Sequence, residues 1–242
     1  MSVRKRGLGV LGVVAVLLGL IALMSISARA EVGANWKVKS ANVTEKLSPS
    51  IGIKEIEKIS GTEEKYVGIL TNLGEEKLDF RCTGLSAIGA KLEPEGRITS
   101  GMKFKFSGCI TVISGKFAFG CNPFYEGKEK GVIVTQALKG LLGLHEGKQS
   151  LVSFEPVKGP TFLAVEFSEA CIFGVSGRPW PFNGKLTLKD SALGTESVTH
   201  LFVEGPLSNL ALEGTAPTTF CGSVVWELTG EHKGQSWSGI PG

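Results

Sequence analysis

Residues 96–121, GRITSGMKFKFSGCITVISGKFAFGC, carry the clearest strand pattern in this chain of 242 residues. Met102, Phe104 and Phe106 alternate with Lys103 and Lys105, which is the period-two pattern of a strand with one buried face. The stretch therefore predicts a β-strand that directs its aromatic side chains into a core.

Two cysteines, Cys109 and Cys121, flank the turn that follows this strand. A three-residue loop at residues 114–116 would place Ile113 opposite Phe117, and therefore Cys109 opposite Cys121. Directly opposed residues of an antiparallel pair have Cα atoms about 4.5–5.5 Å apart, which lies within the usual disulfide range of about 4.4–6.8 Å. We therefore favour a bridge between Cys109 and Cys121 that staples a β-hairpin.

The chain has five cysteines, all downstream of its first thirty residues: Cys82, Cys109, Cys121, Cys171 and Cys221. None lies in a Cys-x-x-Cys pair, so their spacing does not indicate a zinc or redox site. In an exported protein, disulfides are the default state of cysteines. Two bridges and one remaining cysteine allow about fifteen arrangements, and the remaining cysteine is either buried or joins two chains.

The first thirty residues have the layout of a secretory signal peptide. A basic segment at residues 4–6 precedes an apolar stretch at residues 8–26, and Ala28 and Ala30 occupy the −3 and −1 positions of a cleavage site. The apolar stretch is almost long enough to span a bilayer, so an uncleaved N-terminal anchor is the alternative. We expect cleavage after Ala30 and export of the remaining chain to the extracellular space or the cell envelope.

Cleavage would remove four basic residues and no acidic ones, which changes the net charge from +3 to −1. In residues 31–242 lysines and glutamates are interleaved, so the composition argues against a nucleic-acid partner. The membrane contact that we expect is the N-terminal segment, if it stays uncleaved. The length suffices for one β domain with a core or for two smaller ones, and the polar stretch at residues 122–130 is the best candidate for a boundary between two β subdomains.

Short alternating segments continue along the chain, for example at residues 162–167, 185–189 and 223–229. About fourteen such segments are separated by turns, which fits a content of 33 glycines. No segment has the pattern of a three-turn helix. We therefore predict an all-β fold of antiparallel sheets, packed as a sandwich or as a barrel-like meander.

The chain has three histidines, His145, His200 and His232, and no motif links any two of them. Without an HxH or HExxH spacing, the sequence predicts no metal site and no cofactor. The shortage of aspartate, with Asp79 and Asp190 alone, also argues against a calcium loop.

The sequence contains no GxSxG motif, and the nearest string, GQSWSG at residues 234–239, has serine in place of the second glycine. Its glutamates alternate with lysines on predicted strands, which is typical of a solvated face rather than of paired catalytic carboxylates. We therefore assign no catalytic residue and predict a protein without enzymatic activity. A hydrolase that uses His145 or His200 is the last-ranked alternative.

Tryptophan offers the best candidate for a ligand contact. Trp226 lies beside Glu227 in an alternating segment, so we expect it to be buried. Trp180 lies between Pro179 and Pro181, and proline cannot donate to a strand ladder. We therefore expect Trp180 to be exposed, in a loop or at a sheet edge, where it could stack on a sugar.

Several short motifs are distributed along the mature chain. They are Cys82-Thr83-Gly84, Phe106-Ser107-Gly108-Cys109, Leu144-His145-Glu146-Gly147, Thr195 to His200 with Glu204-Gly205-Pro206, Leu228 to His232, and Trp237-Ser238-Gly239. In these motifs the chain resembles a group of secreted actinobacterial proteins without a known activity. That group often has a cysteine where this chain has Ser191, so the resemblance implies export but no partner for Cys171.

These observations predict an exported, non-enzymatic protein with a structural role, which associates with copies of itself. A module that binds a cell-wall or environmental glycan through Trp180 is the alternative. Self-association predicts an oligomer, held in one version by Cys82, Cys171 or Cys221, whereas glycan binding predicts a saturable interaction that Trp180→Ala weakens.

Overall fold

The computed structural model consists almost entirely of antiparallel β-strands, as the sequence predicts. It describes residues 34–45, 51–58, 63–125, 129–145, 149–171, 177–190, 194–202 and 207–241. Within these ranges there is no α-helix, and a 3₁₀ turn lies at Gly230–His232. The predicted signal peptide at residues 1–30 lies outside the described residues.

The strands are numbered here in chain order. In the described part of the chain they are β1 Ala34–Val38, β2 Ala41–Asn42, β3 Ile51–Ile56, β4 Val67–Leu73, β5 Glu76–Ile88, β6 Leu92–Glu93, β7 Arg97–Ile113, β8 Lys116–Phe117, β9 Pro123–Phe124, β10 Ile133–Val134, β11 Leu138–His145, β12 Gln149–Pro156, β13 Thr161–Phe167, β14 Trp180–Asn183, β15 Leu186–Asp190, β16 Ser197–Phe202, β17 Ala211–Leu212, β18 Ala216–Pro217, β19 Thr219–Cys221, β20 Ser223–Leu228 and β21 Trp237–Pro241. Most are short, but β5 has 13 residues and β7 has 17.

The largest sheet is curled into a half-barrel. Its path runs β19-β4-β5-β7-β11-β12-β15-β16-β20-β3, and β6, β8 and β10 pair with β7 beside that path. The last strand of this path, β3, lies close to the end of β5. The backbone N–H of Ile51, the first residue of β3, donates to the carbonyl of Ala90 over 3.0 Å. The curl surrounds an aromatic cluster of Phe104, Phe154 and Trp226, with ring centroids 5.0–6.1 Å apart.

Two smaller sheets add a second layer to different parts of the large one. The five-stranded sheet β18-β17-β14-β13-β9 packs Phe167 and Phe182 on Phe80 of β5, with ring centroids 5.9 and 6.1 Å apart. In the three-stranded sheet β2-β1-β21, the indole N–H of Trp36 donates to the carbonyl of Arg97 over 2.9 Å. Together the three sheets bury the apolar faces of the long strands.

Residues 122–130 are the candidate boundary between subdomains, and strands on either side of this stretch pair with each other in the large sheet. Strand β7 precedes this stretch and β11 follows it, and the two strands are direct neighbours. Buried side chains from both sides of the stretch also belong to one apolar cluster.

The first half of β7 shows the alternation that the sequence predicts. Met102, Phe104 and Phe106 are buried, whereas Lys103 and Lys105 are partly exposed. The buried face of this segment packs against the rings of Phe154, Trp226 and Phe220.

The buried face of β5 and β7 changes at a pair of glycines, Gly84 and Gly108. A Cβ at either glycine would lie 2.2–2.3 Å from a side-chain hydroxyl of the partner strand. Gly108 also has a φ of 61°, which side chains with a Cβ rarely adopt. Beyond this point Cys109, Thr111 and Ile113 are buried and Ile110 is exposed, and Val112 at the end of the strand is buried as well.

Cys109 is bonded to Cys82, so the predicted bridge between Cys109 and Cys121 is wrong. Strand β5 runs beside β7 with Cys82 directly opposite Cys109, at a Cα separation of 4.0 Å. The long-range neighbour β5, rather than the local hairpin arm, therefore supplies the partner cysteine.

The turn after β7 is shorter than the predicted three-residue loop. Val112 lies opposite Phe117, so the loop contains two residues, 114–115. The returning strand β8 also ends after two residues. The chain then leaves the ladder, which removes Cys121 from a position opposite Cys109.

Cys121 instead forms a disulfide with Cys171, 50 residues further along the chain. Cys221 belongs to neither bridge and is half-buried. Because stable disulfides form and persist in oxidising compartments, the two bridges indicate that the protein folds in an oxidising environment.

Candidate functional site

Trp180 lies at the start of β14, where its backbone pairs with Val165 of β13. Its side chain is half-buried and packs against the apolar cluster, rather than being exposed in a loop. The guanidinium of Arg178 lies 3.9 Å from the indole centroid and is paired with Glu213. A sugar that stacks on this face of the indole would have to displace Arg178, and the role of Trp180 as a ligand contact stays a prediction.

The three histidines lie on different elements. His145 ends β11, His200 lies in β16, and His232 lies in the 3₁₀ turn, where its Nδ1 is 3.0 Å from Oε1 of Gln235. Among the residues that the structure describes, no group of three His, Cys, Asp or Glu side chains is arranged to hold a metal ion.

One histidine belongs to a buried polar cluster that crosses three strands of the large sheet. The hydroxyl of Ser150 donates to Oδ2 of Asp190 over 2.8 Å, and Nδ1 of His200 lies 2.6 Å from Oδ1 of the same carboxylate. The contact with His200 is close but lacks hydrogen-bond geometry. The side chains of Asp190 and His200 are almost completely buried.

This cluster differs from a hydrolytic triad in its connections. A catalytic serine is hydrogen-bonded to its base and faces the substrate, whereas Ser150 donates to Asp190. The rings of Trp226 and Trp237 cover His200, with centroids 4.2 and 5.9 Å from the imidazole. A substrate therefore cannot reach His200 in this conformation.

Two phenylalanines are exposed at the turn that follows β7. Phe117 is 48% exposed and Phe119 is 80% exposed. Their rings form an edge-to-face pair with centroids 4.9 Å apart, a favoured geometry for aromatic contacts. We call Phe117 and Phe119 the aromatic tip.

Hydrogen bonds and a disulfide hold the backbone of the aromatic tip. The N–H of Ala118 donates to the carbonyl of Thr111 over 2.9 Å, and the Thr111 hydroxyl donates to the carbonyl of Cys121 over 2.6 Å. The Ser168 hydroxyl donates to the carbonyl of Gly120 over 2.7 Å, and the disulfide of Cys121 follows. Because this turn is already ordered, a partner that covers the tip would lose little backbone entropy.

Charges of both signs lie next to the aromatic tip. Glu76 and Lys77 begin β5, Lys116 begins β8, and all three are exposed. The Ser114 hydroxyl donates to the carboxylate of Glu76, and the Ser114 N–H donates to the carbonyl of Lys77 over 2.7 Å. The tip therefore combines an apolar centre with a rim of mixed charge.

A second surface feature is a groove where β7 bulges away from β11. Leu138 lies opposite Met102 and Gly140 lies opposite Ile98, so four residue steps of β7 match two steps of β11. The bulged segment contains Gly101, whose φ is 97°. The resulting groove has a volume of about 340 Å³.

Charged, hydroxyl and apolar side chains line the groove, the apolar ones being Ile98 and Leu141. The basic residues are Arg97, Lys139 and Lys185, and the acidic ones are Glu93 and Glu155. Nζ of Lys139 lies 2.9 Å from Glu155, and both side chains of this pair are 52% exposed. The lining also contains two hydroxyls, those of Ser100 and Ser153. The groove thus offers cationic donors and anionic acceptors side by side.

Comparison of the chain with protein families, with curated proteins and with solved structures found no match. The resemblance to secreted actinobacterial proteins accordingly stays a prediction. In the described ranges, no helix has the length and apolar character needed to cross a membrane.

Sequence reasoning missed both surface features. It placed Phe117 opposite Ile113 on the arm of a hairpin, although the Ser114-Gly115 pair offered a signal for a shorter turn. Both residues have positive φ, 46° and 81°, as in the two-residue turns that match strand twist. The groove depends on a bulge in β7, for which Gly101 alone was a weak signal.

Proposed function

We propose that this protein is a non-enzymatic β-protein of the extracellular space or cell envelope, which associates with copies of itself through the aromatic tip. The observation that carries the proposal is the exposure of Phe117 and Phe119 side by side on an ordered turn. Exposed apolar patches often mark interaction sites, and aromatic side chains are enriched at the centres of protein interfaces.

Two features support the export of the chain. Residues 1–30 have the layout of a secretory signal peptide. The two disulfides, Cys82–Cys109 and Cys121–Cys171, fit an oxidising compartment. Because these four cysteines are bonded within the chain, the proposed association does not use Cys82 or Cys171.

The charged rim supports a second copy of the chain as the partner. In a two-fold symmetric interface the same surface meets itself, so Lys77 and Lys116 of one copy can face Glu76 of the other. An anionic membrane or a nucleic acid would instead select a rim of positive charges alone, whereas this rim also contains the carboxylate of Glu76. Within the described sheets β8 pairs with β7 alone, so its outer edge is available to the partner copy.

The molar mass of the secreted protein in solution tests this proposal. We expect light scattering after size exclusion to show a dimer or a larger oligomer that dissociates on dilution. The double variant Phe117→Ser/Phe119→Ser should be monomeric. Its melting temperature should equal that of the wild type at a concentration where both are monomers, because both side chains are exposed.

Ile88→Ser provides the matched control for this experiment. Ile88 is as exposed as Phe117, at 48%, but lies outside the aromatic tip. We expect this variant to associate like the wild type. A wild-type protein that stays monomeric at millimolar concentration, or a tip variant that associates normally, would contradict the proposal.

A further inference from the structure

The groove at the β7 bulge shares no residue with the aromatic tip, so it requires a separate explanation. We propose that this groove binds an acidic saccharide, a sugar chain that carries carboxylate groups. The proposal rests on three observations about the groove: the backbone that forms it, the exchangeable ion pair in its lining, and its mixture of donors and acceptors.

The path of the backbone forms the groove. Bulges are used in proteins to redirect side chains and are common next to binding sites. The β7 bulge needs the positive φ of Gly101, and the floor needs Gly140. A Cβ on Gly140 would lie 2.8 Å from Cβ of Ile98 and 2.9 Å from Cε1 of Phe154. Because Ile98 and Phe154 are buried, this close packing supports the backbone of β11 from the core side.

The basic side chains can exchange their present partners for a ligand carboxylate. Lys139 is paired with Glu155, and Arg97 is paired with Glu95 at 3.0 Å. All four side chains are at least half exposed. Ion pairs of this kind contribute little to stability, so their exchange has little energetic cost. Arginine can also bind a carboxylate through two parallel hydrogen bonds.

The remaining lining residues favour a saccharide over other anions. Glu93, Glu155 and the hydroxyl of Ser100 can accept hydrogen bonds from sugar hydroxyls. The two carboxylates would repel a densely charged phosphate polymer. An extended peptide would use a free strand edge, whereas this groove lies on the face of a sheet across β7, β11 and β12.

Calorimetric titration with a galacturonic-acid tetrasaccharide tests the inference, with cellotetraose as the uncharged comparison. We expect saturable binding of the acidic sugar, with one site per chain, and no binding of cellotetraose. Arg97→Met and Lys139→Met should each weaken binding by about tenfold or more, because each removes a charged hydrogen-bond donor. Lys130→Met is the matched control, since Lys130 is exposed and lies outside the groove.

Melting temperatures of all variants show whether a loss of binding is a loss of folding. Absence of saturable binding, equal binding of cellotetraose, or an equal loss in Lys130→Met would overturn the inference. Tighter binding of a polyglutamate peptide than of the sugar would also overturn it, in favour of an acidic peptide ligand. Phe117→Ser/Phe119→Ser should bind the sugar normally, so the two proposals succeed or fail separately.

Discussion

Residues 103–106, KFKF, and residues 116–119, KFAF, have nearly the same sequence and lie in the same hairpin, but their burial is opposite. The phenylalanines of the first stretch are at most 2% exposed, whereas those of the second are 48% and 80% exposed. Alternation decides which side chains share a face. Whether that face is buried depends on the strands that pack against it.

The first stretch lies in the middle of β7, and other strands of the same curled sheet cover its aromatic face. Phe104 contacts Phe154 and Trp226, and Phe106 contacts Phe220, with ring centroids 5.0–6.1 Å apart. The second stretch begins in the two-residue strand β8 and continues into a turn. Its ring contact is the internal one between the two phenylalanines of the aromatic tip.

The largest difference between the two stretches should appear in stability. We expect Phe104→Ala to lower the free energy of unfolding by about 3–5 kcal/mol, because it removes a buried ring and leaves a cavity. Phe119→Ala should change it by less than about 0.5 kcal/mol in the monomer. Urea unfolding of both variants at low protein concentration measures the difference. Similar losses in the two variants would mean that the tip is buried in the monomer.

A smaller effect should follow from the bridge that holds the second stretch. Cys121→Ala/Cys171→Ala should lower the free energy of unfolding by about 2–4 kcal/mol, since the bridge closes a long loop. We also expect faster amide exchange at residues 117–120. Cys82→Ala/Cys109→Ala is the matched control, because it removes a bridge within the ladder of β5 and β7. Equal exchange at the tip in both variants would show that the bridge of Cys121 does not order this turn.

The sequence was sufficient to predict strands whose alternation pattern lies within one short segment. Predicted strands at residues 162–167, 185–189 and 223–229 correspond to β13, β15 and β20, with ends shifted by at most one residue. These segments alternate strongly. Their pattern is local, so a single sequence contains it.

Features that depend on pairing between distant segments were not predictable in the same way. The bridge of Cys109 required the knowledge that β5 lies beside β7 in the observed register. A change of one residue in turn length moved Phe117 from opposite Ile113 to opposite Val112, and such a shift changes the face of every following side chain. Strand β21 contains Trp237 but lies in a tail without clear alternation, and β1 is its partner.

The candidate sites were the least predictable part of the molecule. Trp180 was chosen because two prolines flank it, but β13 and Arg178 enclose its side chain. The groove brings Arg97, Lys139 and Lys185 together from three distant segments. No local pattern marks such a convergence, because each of these residues is an ordinary surface residue in its own strand.

The smallest predicted effect concerns Glu227 of β20. This residue lies on the outer face of the large sheet, and the inner face of the same sheet buries the phenylalanines of residues 103–106. Trp226 of β20 packs on Phe104, while the next residue, Glu227, is directed to the other face. The hydroxyl of Ser197 donates to Glu227 over 2.5 Å, and Nζ of Lys54 lies 2.9 Å away. These contacts, that with Ser197 first, lower the pKa of the Glu227 carboxyl below its ordinary value.

The lowered pKa sets the direction of the pH dependence. The ionised Glu227 stabilises the fold above the unfolded-state pKa of about 4.3, and this contribution is lost as the pH falls through the lower folded-state pKa. We expect Glu227→Gln to lower the free energy of unfolding by less than about 1 kcal/mol at pH 7. The difference from the wild type should shrink in urea titrations as the pH is lowered from 7 to 3. A difference that is constant across this range would assign the effect to packing of the side chain, and the two faces of β20 would then contribute to stability by the same mechanism.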